Sequence, residues 1–194
     1  DTGIVCKGNF EGEEIIGLKL NFSKRYITLA PIATLIGLAF KMYDPDHLIG
    51  DTENYGITCA LLPKETNGLE TGRRHIPIGS PFMNGTITGK DVFIPLDYII
   101  GGVEQAGQGW KMLTDCLSAG RAIVLPSGAM SGAKSAVAVT GAYARAREQF
   151  GMPIAEFEGI LEPLGRMAGN SYMISSSVST TAMAIGAGEK PSVI

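Results

Sequence analysis

Apolar and polar residues alternate through much of the first hundred positions. In EIIGLKLNF, positions 14–22, every second residue from Ile16 to Phe22 is apolar, which predicts a strand with one buried face. Similar runs, each bounded by Gly or Pro, read YGITCALLP, GLETGRRHIPIG and TGKDVFIPLDYIIGG. Regular spacing of short strands by turn residues favours an antiparallel sandwich or barrel.

The longest apolar run, KRYITLAPIATLIGLAFKM at positions 24–42, raises the question of a membrane segment. Only the 14 residues Ile27–Phe40 are free of charge, and Pro31 interrupts them. A membrane-spanning helix needs about 20 consecutive apolar residues. We therefore expect a strand that ends before Pro31 and a second strand, or a buried turn and strand, near Leu35–Phe40.

The pattern changes to helical spacing after Gly102. Apolar residues recur from Trp110 to Ala144, and again from Phe157 onwards, at the three- and four-residue intervals of an amphipathic helix. Pro126 is expected to kink the first helix. The segment around Pro153 separates the two patterns, and this proline suits the start of the second helix.

These patterns together predict an α+β fold of two parts. An antiparallel β-barrel or β-sandwich domain at residues 1–103 is followed by a long helical hairpin at residues 104–194. The chain starts at Asp1 without a methionine and ends at GEKPSVI, soon after a helical pattern. We interpret it as a piece of a longer polypeptide.

Charge and cysteine content exclude several classes of function. The net charge of −3 lacks the basic footprint of a nucleic-acid-binding protein. Cys6, Cys59 and Cys116 are far apart, and no Cys-x-x-Cys or Cys/His cluster occurs, which argues against a metal site or a disulfide framework. We expect reduced, buried thiols, and we interpret His47 and His75 as surface residues.

Three short motifs could carry chemistry. Tyr26 and Thr28 would point the same way on a strand, offering a stacking surface and a hydroxyl to one flat ring; an ordinary cross-strand pair is the alternative. Arg147 could bind a phosphate or, with Arg145, complement a helix dipole. Arg121, within LSAGR, either extends to solvent or faces an anionic or carbonyl group.

The order of these segments resembles the acyl-CoA dehydrogenase family. The similarity rests on RYITLAPIATLIGLAFK, GRRH, VFIPLDYIIGG, GQGW opening a helix, GR within it, and REQFGMPIAEFEGI. It is greatest to the large bacterial fatty acyl-CoA dehydrogenases of β-oxidation. It implies that the chain comprises the middle β domain and the first two helices of the C-terminal four-helix domain.

The resemblance also implies roles for individual residues. Tyr26 and Thr28 match the aromatic residue and the hydroxyl that contact the flavin ring, with Ile27 adding a backbone contact. Arg147, Gln149 and Phe150 match a segment that reaches the FAD of a neighbouring subunit. Ser118 and Arg121 match positions that line the acyl-CoA site.

Two positions depart from the family pattern. Leu29 stands where an asparagine usually follows the threonine, which removes a polar side chain from this position. Gly120 occupies the position that carries the catalytic glutamate in some members. Glycine cannot act as a base, so the resemblance places the general-base glutamate beyond Ile194 and leaves this chain without a catalytic residue of its own.

The implied activity is FAD-dependent α,β-dehydrogenation of medium- or long-chain fatty acyl-CoA to trans-2-enoyl-CoA in β-oxidation. Expected partners are the acyl-CoA substrate, an electron-transfer flavoprotein and further copies of the chain in a homodimer or tetramer. We expect a cytoplasmic bacterial protein, with peripheral association with the inner membrane left open. The alternatives are an acyl-CoA oxidase and a flavin-free acyl-CoA-binding or scaffolding relative. The chain by itself is expected to be inactive.

Overall fold

The computed structural model describes residues 1–189, which divide into a first unit, Asp1–Leu113, and a second unit that starts at Thr114. The first unit contains one six-stranded sheet. Its strands are β1 (Thr2–Phe10), β2 (Glu13–Thr28), β3 (Leu35–Tyr43), β4 (Asn54–Pro63), β5 (Leu69–His75) and β6 (Asn84–Pro95). The predicted boundary between residues 103 and 104 stays a prediction.

The strands lie in the order β4-β3-β1-β2-β6-β5. Neighbours pair antiparallel except β1 and β3, which run parallel through a short register that begins with Thr2 opposite Lys41. The α+β class is confirmed. The parallel pair was not predicted, because alternation reveals which face of a strand is buried but not which strand lies beside it.

The core of this unit follows the alternation seen in the sequence. Leu18, Leu20 and Phe22 of β2 are buried, as their spacing predicted. They pack with side chains from four other strands, among them Val5, Phe40, Leu62 and Ile94. Burial of side chains this size stabilises the fold by about 1.5–3 kcal/mol each, which makes β2 a principal contributor to the sheet.

The long apolar run is two strands joined by a turn. β2 ends at Thr28 and β3 begins at Leu35. The backbone amides of Ile32 and Ala33 both donate to the carbonyl of Leu29, at 3.0 and 2.8 Å. The prediction of a strand, a break near Pro31 and a second strand is confirmed.

The second unit is dominated by helices. Helix α1 (Gly109–Ala119) crosses the boundary between the units, and a π-helical turn, Gly120–Val124, joins it to α2 (Leu125–Ala146). Pro126 lies at the start of α2, directly after the π-helical turn. The irregularity expected at this proline is present on its N-terminal side, where a proline removes a hydrogen bond and crowds the preceding turn.

The link between α2 and α3 (Glu158–Gly186) is not the simple break that was predicted. Two short strands, β7 (Glu148–Gln149) and β8 (Met152–Pro153), pair as a small hairpin. A single 3-10 turn follows them before α3 begins. The prediction that Pro153 starts the second helix is wrong, because its pairing opposite Glu148 holds it in extended backbone, φ −56° and ψ 137°.

The helical segment Gly109–Ala146 is long and apolar enough to cross a membrane by length and composition alone. A core helix of a soluble protein passes the same test. None of its most hydrophobic stretch is buried. Cys116 on α1 is exposed, so the expectation of a buried thiol there is wrong, whereas Cys59 is buried.

Candidate functional site

The end of β2 presents the residues that the sequence singled out first. Tyr26 is 63% exposed and Thr28 is also exposed, while Ile27 between them packs against the core. The register of β2 shifts between Lys24 and Ile27, which interrupts the alternation that buries Leu18, Leu20 and Phe22. The exposed Tyr26 and Thr28 therefore lie away from the core. Within the described residues the Thr28 hydroxyl makes no hydrogen bond.

A row of polar residues crosses three adjacent strands at this point. Thr28 of β2 is directly opposite Asn84 of β6, and Asn84 is directly opposite His75 of β5. Directly paired residues of antiparallel strands project to the same face. Sequence analysis missed Asn84, because no local pattern shows that it lies beside a strand more than fifty residues earlier.

His75 is not the surface residue that the sequence predicted. Its side chain is half-buried, and its ring lies 4.7 Å from that of Tyr26, centroid to centroid, with the planes tilted by 48°. Its strand register brings it to Tyr26, since β5 and β2 both flank β6. The two rings form one wall of an open cleft of about 520 Å³, lined by Tyr26, Arg73, Arg74, His75, Ile76 and Pro77.

Two buried polar atoms at this site have no partner within the described residues. They are the Oδ1 atom of Asn84, a side chain only 2% exposed, and the Nδ1 atom of His75. By contrast, Arg74 is anchored, since its Nη2 atom donates to the Pro81 carbonyl at 2.9 Å. The cleft therefore combines the exposed Tyr26 ring, the His75 ring and two arginines, while Thr28 and Asn84 lie beside it on the neighbouring strands.

Lys24 anchors β2 close to the site. Its Nζ atom lies 2.5 Å from the Asp1 carboxylate and donates to the Ala39 carbonyl at 3.1 Å. Partial burial lowers the pKa of Lys24 from its usual value. The cation thus ties β2 to β3 just before the exposed Tyr26.

Arg147, Gln149 and Phe150 lie together on the link between α2 and α3. The Arg147 amide donates to the Tyr143 carbonyl at the end of α2, and its carbonyl accepts from Ile154, both at 2.8 Å. All three predicted side chains are exposed, and Phe150 is 95% exposed at a φ of 55°. The backbone is thus held at both ends while the side chains project to solvent.

Ser118 and Arg121 occur where α1 gives way to the π-helical turn. The Ser118 hydroxyl donates to the Asp115 carbonyl at 3.1 Å within its own helix, and Arg121 is exposed. Isolated π-helical turns are frequent at functional sites. Because Arg121 is exposed, a ligand can reach its guanidinium. The predicted substrate contacts of Ser118 and Arg121 stay predictions.

Comparison with models of protein families shows which known proteins the chain is related to. The acyl-CoA dehydrogenase C-terminal domain matches residues 107–193. Residues 107–193 belong to an acyl-CoA dehydrogenase C-terminal domain. The matched stretch contains Arg121 and the Arg147–Phe150 segment, while Tyr26 and Thr28 lie before it.

Curated relatives extend the similarity into the β sheet. The short/branched chain specific acyl-CoA dehydrogenase of Bos taurus mitochondria is 31% identical over 150 residues, which are 77% of this chain and 32% of that protein. A Proteus mirabilis protein named HemX is 60% identical over 104 residues, 54% of this chain and 61% of that protein. The chain spans about a third of the length of the bovine dehydrogenase.

A solved structure supports the same fold over nearly the whole chain. An acyl-CoA dehydrogenase of Bacillus anthracis, crystallised in complex with FAD, matches with a TM-score of 0.67 and 27% identity. The match covers 93% of this chain and 28% of that one. The sheet and the helical hairpin are therefore a recognisable portion of a larger acyl-CoA dehydrogenase architecture.

Proposed function

We propose that the full-length protein is an FAD-dependent acyl-CoA dehydrogenase that forms the α,β double bond of fatty acyl-CoA thioesters. The observation that carries this proposal is the exposed end of β2, where the Tyr26 ring and the free Thr28 hydroxyl share one face. The C-terminal domain match and the FAD of the Bacillus anthracis relative support it.

The residues at the end of β2 fit a flavin. The Tyr26 ring is exposed and can lie against a flat ring system. The Thr28 hydroxyl is exposed on the same face and is free to donate a hydrogen bond to a ring nitrogen. FAD, when bound, would supply the acceptor for the hydride that leaves the substrate. Tyr26 and Thr28 would orient that acceptor and exclude water from one side of it.

Arg147, Gln149 and Phe150 are proposed to contact the FAD of a neighbouring subunit. Their side chains project from a link whose backbone is fixed by two hydrogen bonds, which suits a contact that reaches outside the chain. A guanidinium can bind a phosphate through two parallel hydrogen bonds. This role requires a homodimer or a larger assembly such as a tetramer.

Substrate contacts are proposed for Ser118 and Arg121. An exposed cation in a mostly apolar helical stretch can attract the negatively charged CoA portion or a carbonyl group. We propose medium- or long-chain substrates, since the small residues along Ser127–Ala133 of α2 leave room near the helix. Relatives that act on short or branched chains make a shorter substrate the competing possibility.

Proton removal is assigned to a glutamate beyond Ile194, because Gly120 offers no carboxylate at the alternative position. We propose an electron-transfer flavoprotein as the electron acceptor and a cytoplasmic location, with the inner membrane surface as a possible site of peripheral contact. The isolated 194-residue chain is expected to show no dehydrogenation. Turnover of palmitoyl-CoA by that chain alone would contradict this assignment.

The test is anaerobic reduction of the purified full-length protein. We expect a yellow protein with stoichiometric FAD that is bleached by acyl-CoA in stopped flow. Butyryl-, octanoyl- and palmitoyl-CoA compared side by side report the preferred chain length. Absence of bound flavin would refute the proposal in favour of a flavin-free relative, and rapid reoxidation by oxygen would make the protein an oxidase.

A further inference from the structure

A cleft lined by aromatic rings and carboxylates lies at the opposite end of β2 from Tyr26. The tip of the β1–β2 hairpin and the turn between β4 and β5 form its sides, and its volume is about 610 Å³. Its aromatic residues are Phe10, Phe93 and Tyr98. The rings of Phe10 and Tyr98 meet edge to face, with centroids 6.1 Å apart and planes at 83°. The cleft is thus separate from the proposed flavin site.

The Phe93 ring lies directly against the backbone of two neighbouring strands. A Cβ atom added to Gly8 of β1 or to Gly17 of β2 would come within 2.5 Å of an atom of this ring, far inside the separation of about 3.5–4.0 Å at which carbon atoms pack. Phe93 itself is half-buried. The two glycines therefore make room for an aromatic floor that stays partly open to a ligand.

Three exposed carboxylates border this cleft: Glu11, Glu65 and Asp91. No lysine or arginine is among its lining residues. Within the described part of the chain, neither Glu11 nor Glu65 forms a salt bridge. Their negative charges are therefore not neutralised by the protein, and a cation that enters the cleft is attracted by them.

Aromatic rings beside carboxylates favour an organic cation over a metal ion. Ring faces attract the ammonium group of lysine and the guanidinium group of arginine, and a guanidinium also matches the planar geometry of a carboxylate. A metal ion needs several ligand atoms that converge on one point. The residues that the structure describes contain no group of three or more His, Cys, Asp or Glu side chains that could hold one.

An apolar cleft of about 420 Å³ adjoins the first, since Pro63 and Tyr98 line both. Three of its lining residues are large aliphatic side chains that are 39–52% exposed: Leu35, Leu61 and Ile100. Asp97 adds a further carboxylate, and again no lysine or arginine lines the cleft. Exposed apolar side chains that are contiguous and bordered by polar ones mark interaction sites.

The two turns beside the aromatic cleft are held in place by their own hydrogen bonds. In the β1–β2 hairpin, the Gly12 amide donates to Asn9 Oδ1 at 3.1 Å. In the turn after β4, the Thr66 hydroxyl donates to the Pro63 carbonyl at 2.6 Å. Walls that are already ordered reduce the entropy that a ligand must lose on binding.

We propose that the two joined clefts, here called the acidic groove, bind a basic segment of a partner protein. An arginine or lysine of that segment enters between the aromatic rings and the carboxylates of Glu11 and Glu65. A large aliphatic residue a few positions away packs against Leu35 and Leu61. Opposite charge and apolar contact are thus matched on one continuous surface. This inference goes beyond the proposed function and does not depend on it.

The test measures binding of a synthetic peptide to the full-length protein. The peptide has about ten residues, with arginine and leucine alternating at every second position and serine between them, so that both kinds of side chain project to one side of an extended segment. It carries fluorescein, and fluorescence anisotropy gives its Kd. A peptide with glutamate in place of arginine is the control probe and should not bind.

The carboxylates are tested by charge reversal. The double variant Glu11→Lys with Glu65→Lys should raise the Kd about tenfold or more, because two attractions become repulsions. Asp51→Lys with Glu53→Lys is the matched control, since it changes the net charge equally at exposed residues outside the acidic groove. Its Kd should stay within about twofold of wild type, apart from a small general effect of charge.

The apolar cleft is tested at Leu61. Leu61→Ser removes an exposed aliphatic side chain from the acidic groove and should raise the Kd about three- to tenfold. Ile32→Ser, at an isoleucine that is 60% exposed and outside the groove, should leave it unchanged. Because both side chains are exposed, both variants should keep the melting temperature of the wild type.

Four outcomes would overturn the proposal. They are no measurable binding of the arginine peptide by the wild type, equal binding of the glutamate peptide, equal Kd values for the two double variants, and equal Kd values for Leu61→Ser and Ile32→Ser. Sedimentation of the proteins without peptide adds a fifth. If the Glu11→Lys, Glu65→Lys variant alone changes its oligomeric state, a second copy of the chain occupies the acidic groove in place of a basic partner.

Discussion

Phe150 packs edge-on against Phe157, with ring centroids 6.3 Å apart and planes at 86°. Phe157 is the residue that precedes α3, so the contact joins the tip of the β7–β8 hairpin to the start of that helix. Phe150 is 95% exposed, so this contact leaves nearly all of its ring open to solvent. The link that carries Arg147 and Gln149 is therefore held mainly by its backbone hydrogen bonds.

Arg147→Ala in the full-length protein should release FAD. The loss of a charge-assisted hydrogen bond to a phosphate weakens binding by about 10- to 100-fold. Gel filtration followed by the ratio of flavin to protein absorbance measures the retained cofactor. Arg145→Ala is the matched control, because Arg145 is exposed in the last turn of α2 and should retain full flavin. Stoichiometric FAD in Arg147→Ala would show that the contact is absent.

Thr28→Val should slow flavin reduction more than it weakens FAD binding. Valine keeps the shape of threonine but removes the hydroxyl, so flavin reduction by substrate should slow about five- to tenfold. Retention of FAD should change little, since Tyr26 and the rest of the site remain. Stopped-flow reduction measures the rate, with Thr88→Val on the exposed face of β6 as the control. Identical rates in Thr28→Val and wild type would count against this role.

Leu29→Asn should stabilise the protein. Leu29 has a φ of 65°, a left-handed conformation that costs most L residues about 1–2 kcal/mol and that asparagine adopts more readily. We expect a gain of about 0.5–1 kcal/mol in the free energy of unfolding, seen as a higher melting temperature. Leu61→Asn, at an exposed leucine within β4, should not raise it. A lower melting temperature for Leu29→Asn would show that the leucine side chain matters more than the backbone.

Gly107→Ala should be far more damaging than Gly102→Ala. Both glycines have positive φ, 82° and 78°, but a Cβ on Gly107 would lie 2.2 Å from the Tyr55 carbonyl oxygen, whereas nothing lies within 4 Å at Gly102. The first substitution should cost about 3 kcal/mol or more through the clash, and the second about 1 kcal/mol through backbone strain alone. Thermal unfolding of the two variants measures the difference, and equal losses would contradict it.

Local patterns in the sequence predicted much of the fold. The alternation at Ile16–Phe22, the break at Pro31 and the helical spacing after Gly102 each depend on neighbouring residues, and each is found in the structure. The parallel β1–β3 pair and the β7–β8 hairpin were missed. Both depend on long-range pairing or on the positive φ of Phe150 and Gly151, which composition does not reveal.

The candidate site was predictable only in part, for the same reason. Tyr26 and Thr28 are only two positions apart in the sequence, so their aromatic ring and hydroxyl could be recognised as a pair. Asn84 and His75 come from two other strands, and only the register of β2, β6 and β5 brings them to Thr28. Because His75 lies among polar residues in the sequence, it is predicted to be exposed. Its partial burial becomes evident only when the strand beside it is known.

The π-helical turn Gly120–Val124 determines how far α2 is rotated about its own axis. One residue of an α-helix corresponds to a rotation of about 100°, and a π-helical turn contains one residue more than an α-helical turn would. Deleting a single residue there would let the helix run on regularly while rotating all of α2 by that angle relative to α1. The direction in which α2 presents its side chains is thus fixed by a residue count and not by any one side chain.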